Sequence, residues 1–162
     1  MTIELFAKKG IRINGIEILL GSNIEEAIRV LGEYEKYDSN YYFLEGDLLF
    51  VTEKNIITEI EVNNDEHGKM KAVFAERDVF SEGRDTLFPS LCQMSGDIIA
   101  EDEKGCSYSS DNLGIAFSYG FPESELDEYI REAKEDGVYE EMKEDIEKDI
   151  YRSKHIATFL IR

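Results

Sequence analysis

The hydrophobic pattern changes period twice between Gly15 and Val62, and that stretch organises the reading of the rest. Ile24, Ala27, Ile28 and Leu31 recur at i, i+3, i+4 and i+7, the buried stripe of a short helix. Ser22 and Glu25 stand three apart, as a capping box requires, and Gly32 suits a left-handed closing residue. Beyond a polar connection the period drops to two. Tyr41 to Leu44 and Leu48 to Thr52 read as strands joined at Glu45-Gly46-Asp47, and a tight turn at Glu53-Lys54-Asn55 leads into a third. In that third strand Ile56, Thr58, Ile60 and Val62 are expected on one face, with Ile57, Glu59 and Glu61 on the other. The middle strand is apolar on both faces through Leu48, Leu49, Phe50 and Val51. One short helix covers only one of them.

The flanking segments read more simply. Ile3 and Leu5 predict an edge strand, and Asn14-Gly15 between two alternating runs predicts a hairpin from Ile11 to Ile18. Asn63 to Gly68 is a turn cluster before a strand over Lys69 to Phe74. It imitates a calcium loop at Asn63, Asp65, His67 and Gly68, but Phe74 stands where a bidentate glutamate is needed, which rejects calcium. Gly83 to Met94 predicts a short helix interrupted by Pro89, Asp97 to Glu101 a strand, and Leu113 to Tyr119 another. Two acidic helices follow. The first starts at Pro122 with Leu126, Tyr129, Ile130 and Ala133 inward and stops at Gly137; the second runs from about Val138 to Tyr151 with Tyr139, Met142, Ile146 and Ile150 inward. His155 to Ile161 closes the chain as a strand of the main sheet. The expectation is an α+β fold: an antiparallel β-sheet meander with a short N-terminal helix and two acidic C-terminal helices packed on it. Residues 1–162 form a single α+β domain. Gly114-Ile115 and Gly120 echo Gly15-Ile16 and Gly21, which leaves open a degenerate two-half organisation, 1–75 and 76–162.

The central stretch also resembles a known unit. Gly21, Glu25, Glu26, Leu31, Gly32, Tyr41, Tyr42, Leu48, Phe50, Ile57 and Ile60 form a pattern similar to that of β-lactamase inhibitor proteins and small outer-membrane assembly lipoproteins. The resemblance covers about a third of the chain. It implies a helix-supported antiparallel sheet whose other face can grip a protein. The chain departs from that pattern in lacking a lipoprotein signal and a second helix-then-meander unit.

Charge changes the picture most. Thirty-six acidic residues against eighteen basic ones give a net charge of −18. Thirteen acids and four bases fall between Pro122 and Ile150, so half the net charge sits in those two helices. Such a field repels nucleic-acid backbones and anionic membranes and attracts basic partners. Apolar content of 42% argues against disorder despite the charge. No long apolar run opens the chain, so the expectation is a cytoplasmic protein without a membrane span. Cys92 and Cys106 are too few for a disulfide framework and are expected as reduced thiols.

Candidate chemistry is sparse. His67 and His155 are the two histidines, and no Ser-His-Asp or Cys-His arrangement, phosphate loop or zinc ligand set can be assembled around them. Cys106-Ser107-Tyr108-Ser109-Ser110-Asp111 holds nucleophile types but reads as a polar loop. No catalytic residue, cofactor or metal site is therefore assigned. The leading expectation is a non-enzymatic protein-binding protein similar in character to acidic bacterial immunity proteins, neutralising a basic partner such as a toxin nuclease domain. Its partner-binding residues are expected among Tyr34, Tyr37 and Tyr42 at the margin of the meander, with the second half of the chain covering the other sheet face. Glu125, Glu128, Glu132 and Glu135 are expected to join them from the first acidic helix. A carboxylate-based enzyme of unfamiliar fold, and an adaptor or regulatory subunit, stand as the alternatives.

Overall fold

In chain order the elements are β1 (Thr2–Phe6), β2 (Gly10–Ile13), β3 (Ile16–Leu19), α1 (Ile24–Leu31), β4 (Tyr34–Tyr37), β5 (Asn40–Phe43), β6 (Leu48–Glu53), β7 (Ile56–Asn63), β8 (Lys71–Phe74), β9 (Arg77–Asp78), α2 (Arg84–Ser95), β10 (Ile99–Ala100), β11 (Ser107–Ser110), β12 (Ile115–Tyr119), α3 (Glu123–Glu135), α4 (Tyr139–Lys154) and β13 (Ile156–Ile161). The computed structural model describes residues 1–64 and 69–162. The turn cluster read at Asn63 to Gly68 thus lies partly outside the described residues.

The fold is α+β, and where the sequence predicts one sheet the chain builds two. The smaller has the order β3-β2-β1-β8-β9, and the larger β10-β11-β12-β13-β7-β6-β5-β4. Neighbours in the larger sheet are antiparallel throughout. In the smaller, β1 and β8 run parallel. One apolar cluster lies between the sheets, where Phe74 of the smaller meets Phe159 of the larger at 5.3 Å between ring centroids. Fully buried phenylalanines such as Phe43, Phe50 and Phe159 each contribute about 1.5–3 kcal/mol by leaving water. Two helices complete the inner layer: Ile24 and Ala27 of α1, and Leu87 and Leu91 of α2, belong to the same cluster.

Several local expectations hold for the reasons given. Asn14 and Gly15 have φ of 51° and 81°, the paired left-handed residues of a two-residue hairpin turn. Lys54 and Asn55 repeat that solution between β6 and β7, at φ 51° and 65°. Gly32 closes α1 at φ 83°, its N–H donating to Ile28 O. The last strand, β13, joins β7 of the meander.

Other expectations are corrected. β1 is no edge strand: it pairs with β2 on one side and β8 on the other, which is why Ile3 and Leu5 are buried. The cap of α1 is Asn23, whose side chain accepts from Glu25 N at 3.0 Å, while the Ser22 hydroxyl donates to Leu19 O at 2.8 Å. Leu31 ends the stripe half-buried. In β7 the pairing with β6 slips between Val51 and Thr52, so Ile57 opposes Thr52 and Glu59 opposes Val51. That bulge turns Ile57 inward and leaves Ile56 exposed, and Ile60 and Val62 then keep the core face. Pro89 does not interrupt α2, which runs on to Ser95 even though the ring stands in the second turn, past the N-terminal positions with unpartnered N–H groups, and so removes one helical hydrogen bond.

The acidic helices are inserted between β12 and β13, which are themselves adjacent and antiparallel. They pack chiefly on one another, and α4 reaches β12 and β13 near its root. Leu126, Ala133 and Ile146 are buried there, apart from the main cluster. Gly120 lets the chain enter the hairpin closely: its N–H donates to Arg152 O, and a Cβ on it would lie 3.2 Å from the Arg152 side chain.

Candidate functional site

β4 is the outermost strand of the larger sheet, and all four of its residues are exposed. Its register pairs Tyr34 with Phe43, Glu35 with Tyr42, Lys36 with Tyr41 and Tyr37 with Asn40. Because Tyr41 and Phe43 are buried, Tyr34 and Lys36 share the core-side face, and Glu35 and Tyr37 share the outer face with Tyr42. Tyr34 stacks in a tilted arrangement on Tyr41 and Phe43, at 5.5 and 5.7 Å between centroids. The Lys36 ammonium lies 4.8 Å over the Tyr41 ring, and a hydrogen bond to Tyr41 holds its pKa above the ordinary value. The three tyrosines expected as one margin are thus split across two faces.

They are also split along the strand. A groove of ≈ 990 Å³ opens at the Tyr34 end, lined by Gly32, Glu33, Tyr34, Glu35, Tyr42, Leu44, Glu45 and Gly46. Tyr37, 79% exposed, lies at the other end of β4 and does not line it. The groove owes its floor to the turn after β5, where Leu44, Glu45 and Gly46 all take positive φ, at 55°, 61° and 99°. Its lining carries three glutamates and neither lysine nor arginine.

The acidic helical hairpin roots at the same end of the sheet. Tyr34 pairs across to Phe43, Phe43 to Leu48, Leu48 to Val62 and Val62 to Phe159, next to Thr158 and Ile156 where α4 delivers the chain. Asn63 joins the two features directly: its Nδ2 donates to Gly46 O at 3.3 Å, and its Oδ1 accepts from Thr158 Oγ1 at 2.9 Å. Two strand spacings, about 10 Å, separate the groove turn from the root of the hairpin.

On α3, Glu125, Glu128, Glu132 and Glu135 are all exposed. Glu125 accepts from Lys104 at 3.0 Å, and Arg131 stands 3.1 Å from Glu128 and 3.9 Å from Glu135. Exposed pairs of this kind are worth little energetically, so the surface stays strongly negative.

The outer face of the large sheet carries a continuous cross-strand row: Glu35, Tyr42, Leu49, Glu61, Leu160 and Ala116. All but exposed Glu35 are half-buried. The second half of the chain widens this face with β11, β12 and β13, in place of the covering layer that the sequence led us to expect.

A polar constellation that the sequence reading missed anchors α3. The Arg84 guanidinium sits 4.4 Å over Tyr119, 5.7 Å from Tyr108 and 5.9 Å from Phe88. Its Nη2 donates to Gly105 O and to the Tyr108 hydroxyl, and its Nε lies 3.6 Å from Glu123 in the first turn of α3. Nη1 and the Tyr119 hydroxyl are buried without a hydrogen-bond partner among the described residues, and burial pushes the Tyr119 phenol well above its ordinary range. Nearby, Asp102 accepts from the backbone N–H groups of Cys106 and Ser107, which holds its carboxyl below the usual range. Burial raises the Cys106 thiol. Arginine, tyrosines and phenylalanine far apart in sequence carry no spacing signal that would have marked this cluster.

Among the described residues, no three His, Cys, Asp or Glu side chains are grouped to hold a metal ion, and no helix is long and apolar enough to cross a membrane. No family model, no curated protein and no solved structure matches the chain.

Proposed function

We propose that this chain is a non-enzymatic inhibitor of another protein, of the bacterial immunity type. It binds a basic partner, such as a toxin nuclease domain, along one rim of the large sheet. The observation that carries the reading is that two acidic features lie at one end of the large sheet. The groove holds Glu33, Glu35 and Glu45 around Tyr34 and Tyr42, and the hairpin carrying half the net charge roots at the same end, about 10 Å from the Leu44–Gly46 turn. Tyrosines supply contact area and a hydrogen-bonding tip at small entropic cost, while the carboxylates steer a cationic surface inward and disfavour nucleic acid as a direct ligand. A partner that binds nucleic acid presents the cationic surface that this rim complements. The work is binding and steric blockade, done in the cytoplasm before the toxin acts.

The test is neutralisation. The protein encoded by the gene immediately upstream is expressed, and its toxic activity is titrated with this chain. Loss of activity at a one-to-one ratio, with association slowing steeply as salt rises, is the expected result. An upstream product left fully active at saturating concentrations overturns the reading.

A further inference from the structure

The end of the large sheet at β4 is open in a particular way. Tyr37 and Asn40 flank a two-residue turn, so they form a hydrogen-bonded pair, and alternation makes Glu35 and Tyr42 the next. The phase is fixed independently by Thr52 N donating to Ser39 O on the far side of β5, which leaves Asn40 and Tyr42 to face β4. Glu35 and Tyr37 therefore spend their backbone groups on β5. Tyr34 and Lys36 direct their N–H and C=O outward, where the strand order ends. The other edge of this sheet, β10, is two residues long, and the β3 edge of the smaller sheet abuts α1.

We infer that β4 is a docking edge, to which an extended basic segment of the partner adds as a ninth strand. This rests on the protein-binding reading above and specifies how that binding occurs. Charge complementarity sets the occupant. On the outer face an added strand lies beside Glu35 and reaches the groove with Glu33 and Glu45, so lysine or arginine belongs there. On the core-side face it meets the Tyr34 ring and Lys36, whose ammonium is drawn back over Tyr41, so apolar residues belong there. The recognised pattern is a short alternation of basic and apolar residues, held by backbone hydrogen bonds at Tyr34 and Lys36. Lys36 also discourages this edge from pairing with a second copy of itself, as edge lysines do.

The probe is a capped peptide of alternating lysine and valine, compared with an equally charged peptide in which proline replaces every valine. With the alternating peptide, amide exchange at Tyr34 and Lys36 slows at least about tenfold, while Glu35 and Tyr37, already paired, do not change. Lys36→Ala removes the ammonium over Tyr41, and Lys36→Pro removes in addition the outward N–H, which an edge strand tolerates; the proline variant keeps the melting temperature of the alanine variant and binds the peptide at least about tenfold more weakly than it, about 1.4 kcal/mol. Absence of peptide binding to the wild-type chain overturns the inference. So does equal binding of the two peptides, or unchanged exchange at Tyr34 and Lys36 in the bound state, since charge alone then explains the association. Any of these leaves the neutralisation assay untouched, so the failure of strand addition is separable from failure of the inhibitor reading.

Discussion

Tyr34 and Tyr37 are three positions apart in one strand and do different work. Tyr34 extends the aromatic packing of Tyr41 and Phe43 to the sheet margin, so Tyr34→Ala is expected to cost about 1–2 kcal/mol of stability through lost ring contacts and burial. Tyr37 touches no such cluster, and Tyr37→Ala should stay within about 0.5 kcal/mol in a denaturant titration. Both follow from side-chain direction, which the letters alone left open. The same holds at the start of α1. Asn23→Ala should cost about 1 kcal/mol and Ser22→Ala less, because Asn23 caps the helix. Ile24→Ala should cost about 2–5 kcal/mol, and half-buried Leu31→Ala clearly less than that. The stripe of α1 was legible from period. Which of two adjacent polar residues turns its oxygen to the helix was not, since both are cap formers.

At the scale of elements, the acidic hairpin is held to the body by few contacts, and Arg84 is central among them. Arg84→Ala removes a half-buried cation from three aromatic rings together with two hydrogen bonds, and is expected to cost about 2–4 kcal/mol. Faster amide exchange in the first turn of α3 is the specific sign, through the lost Glu123 contact. Arg84→Lys should rescue little, because the planar fork makes the contacts. The turns around β11 carry a pH signature. Asp97, bonded by the Ser110 hydroxyl and Asn112 N, and Asp102, bonded by Cys106 N, have carboxyls held below their ordinary range. A depressed carboxylate contributes stability that is complete above its unfolded pKa, about 3.9, and is lost as pH falls through the folded value. The melting temperature should therefore decline on acidification below about pH 4, and Asp102→Asn should flatten part of that decline. Hairpin insertion between β12 and β13 was only half legible: helical period and charge marked both helices, but nothing in the pattern said that the strands before and after them pair.

At the scale of the molecule, strand existence was readable and strand partnership was not. Alternation located β2, β3, β7 and β12, whose inner faces are written into the sequence, and short β-prone runs located β5, β6 and β13. Partition into two sheets depends on long-range pairing, such as the parallel contact of β1 with β8 and the joining of β13 to β7, and carries no local mark. The bulge at the start of β7 inverted two side chains for the same reason. The rim was legible as ingredients, tyrosines and glutamates, and became a surface only through the register that brings the groove turn and the hairpin root to the same end.

Charge should govern how fast a partner reaches that rim. Reversing Glu128, Glu132 and Glu135 to lysine is expected to lower the association rate more than it raises dissociation. The most direct test of the account is a hydrogen-exchange footprint of the complex with the upstream-encoded protein. Protection concentrated in β4, the Leu44–Gly46 turn and α3 is the predicted result. Protection confined to β1, β2 and β3 of the smaller sheet, with the rim exchanging as in the free chain, would contradict it.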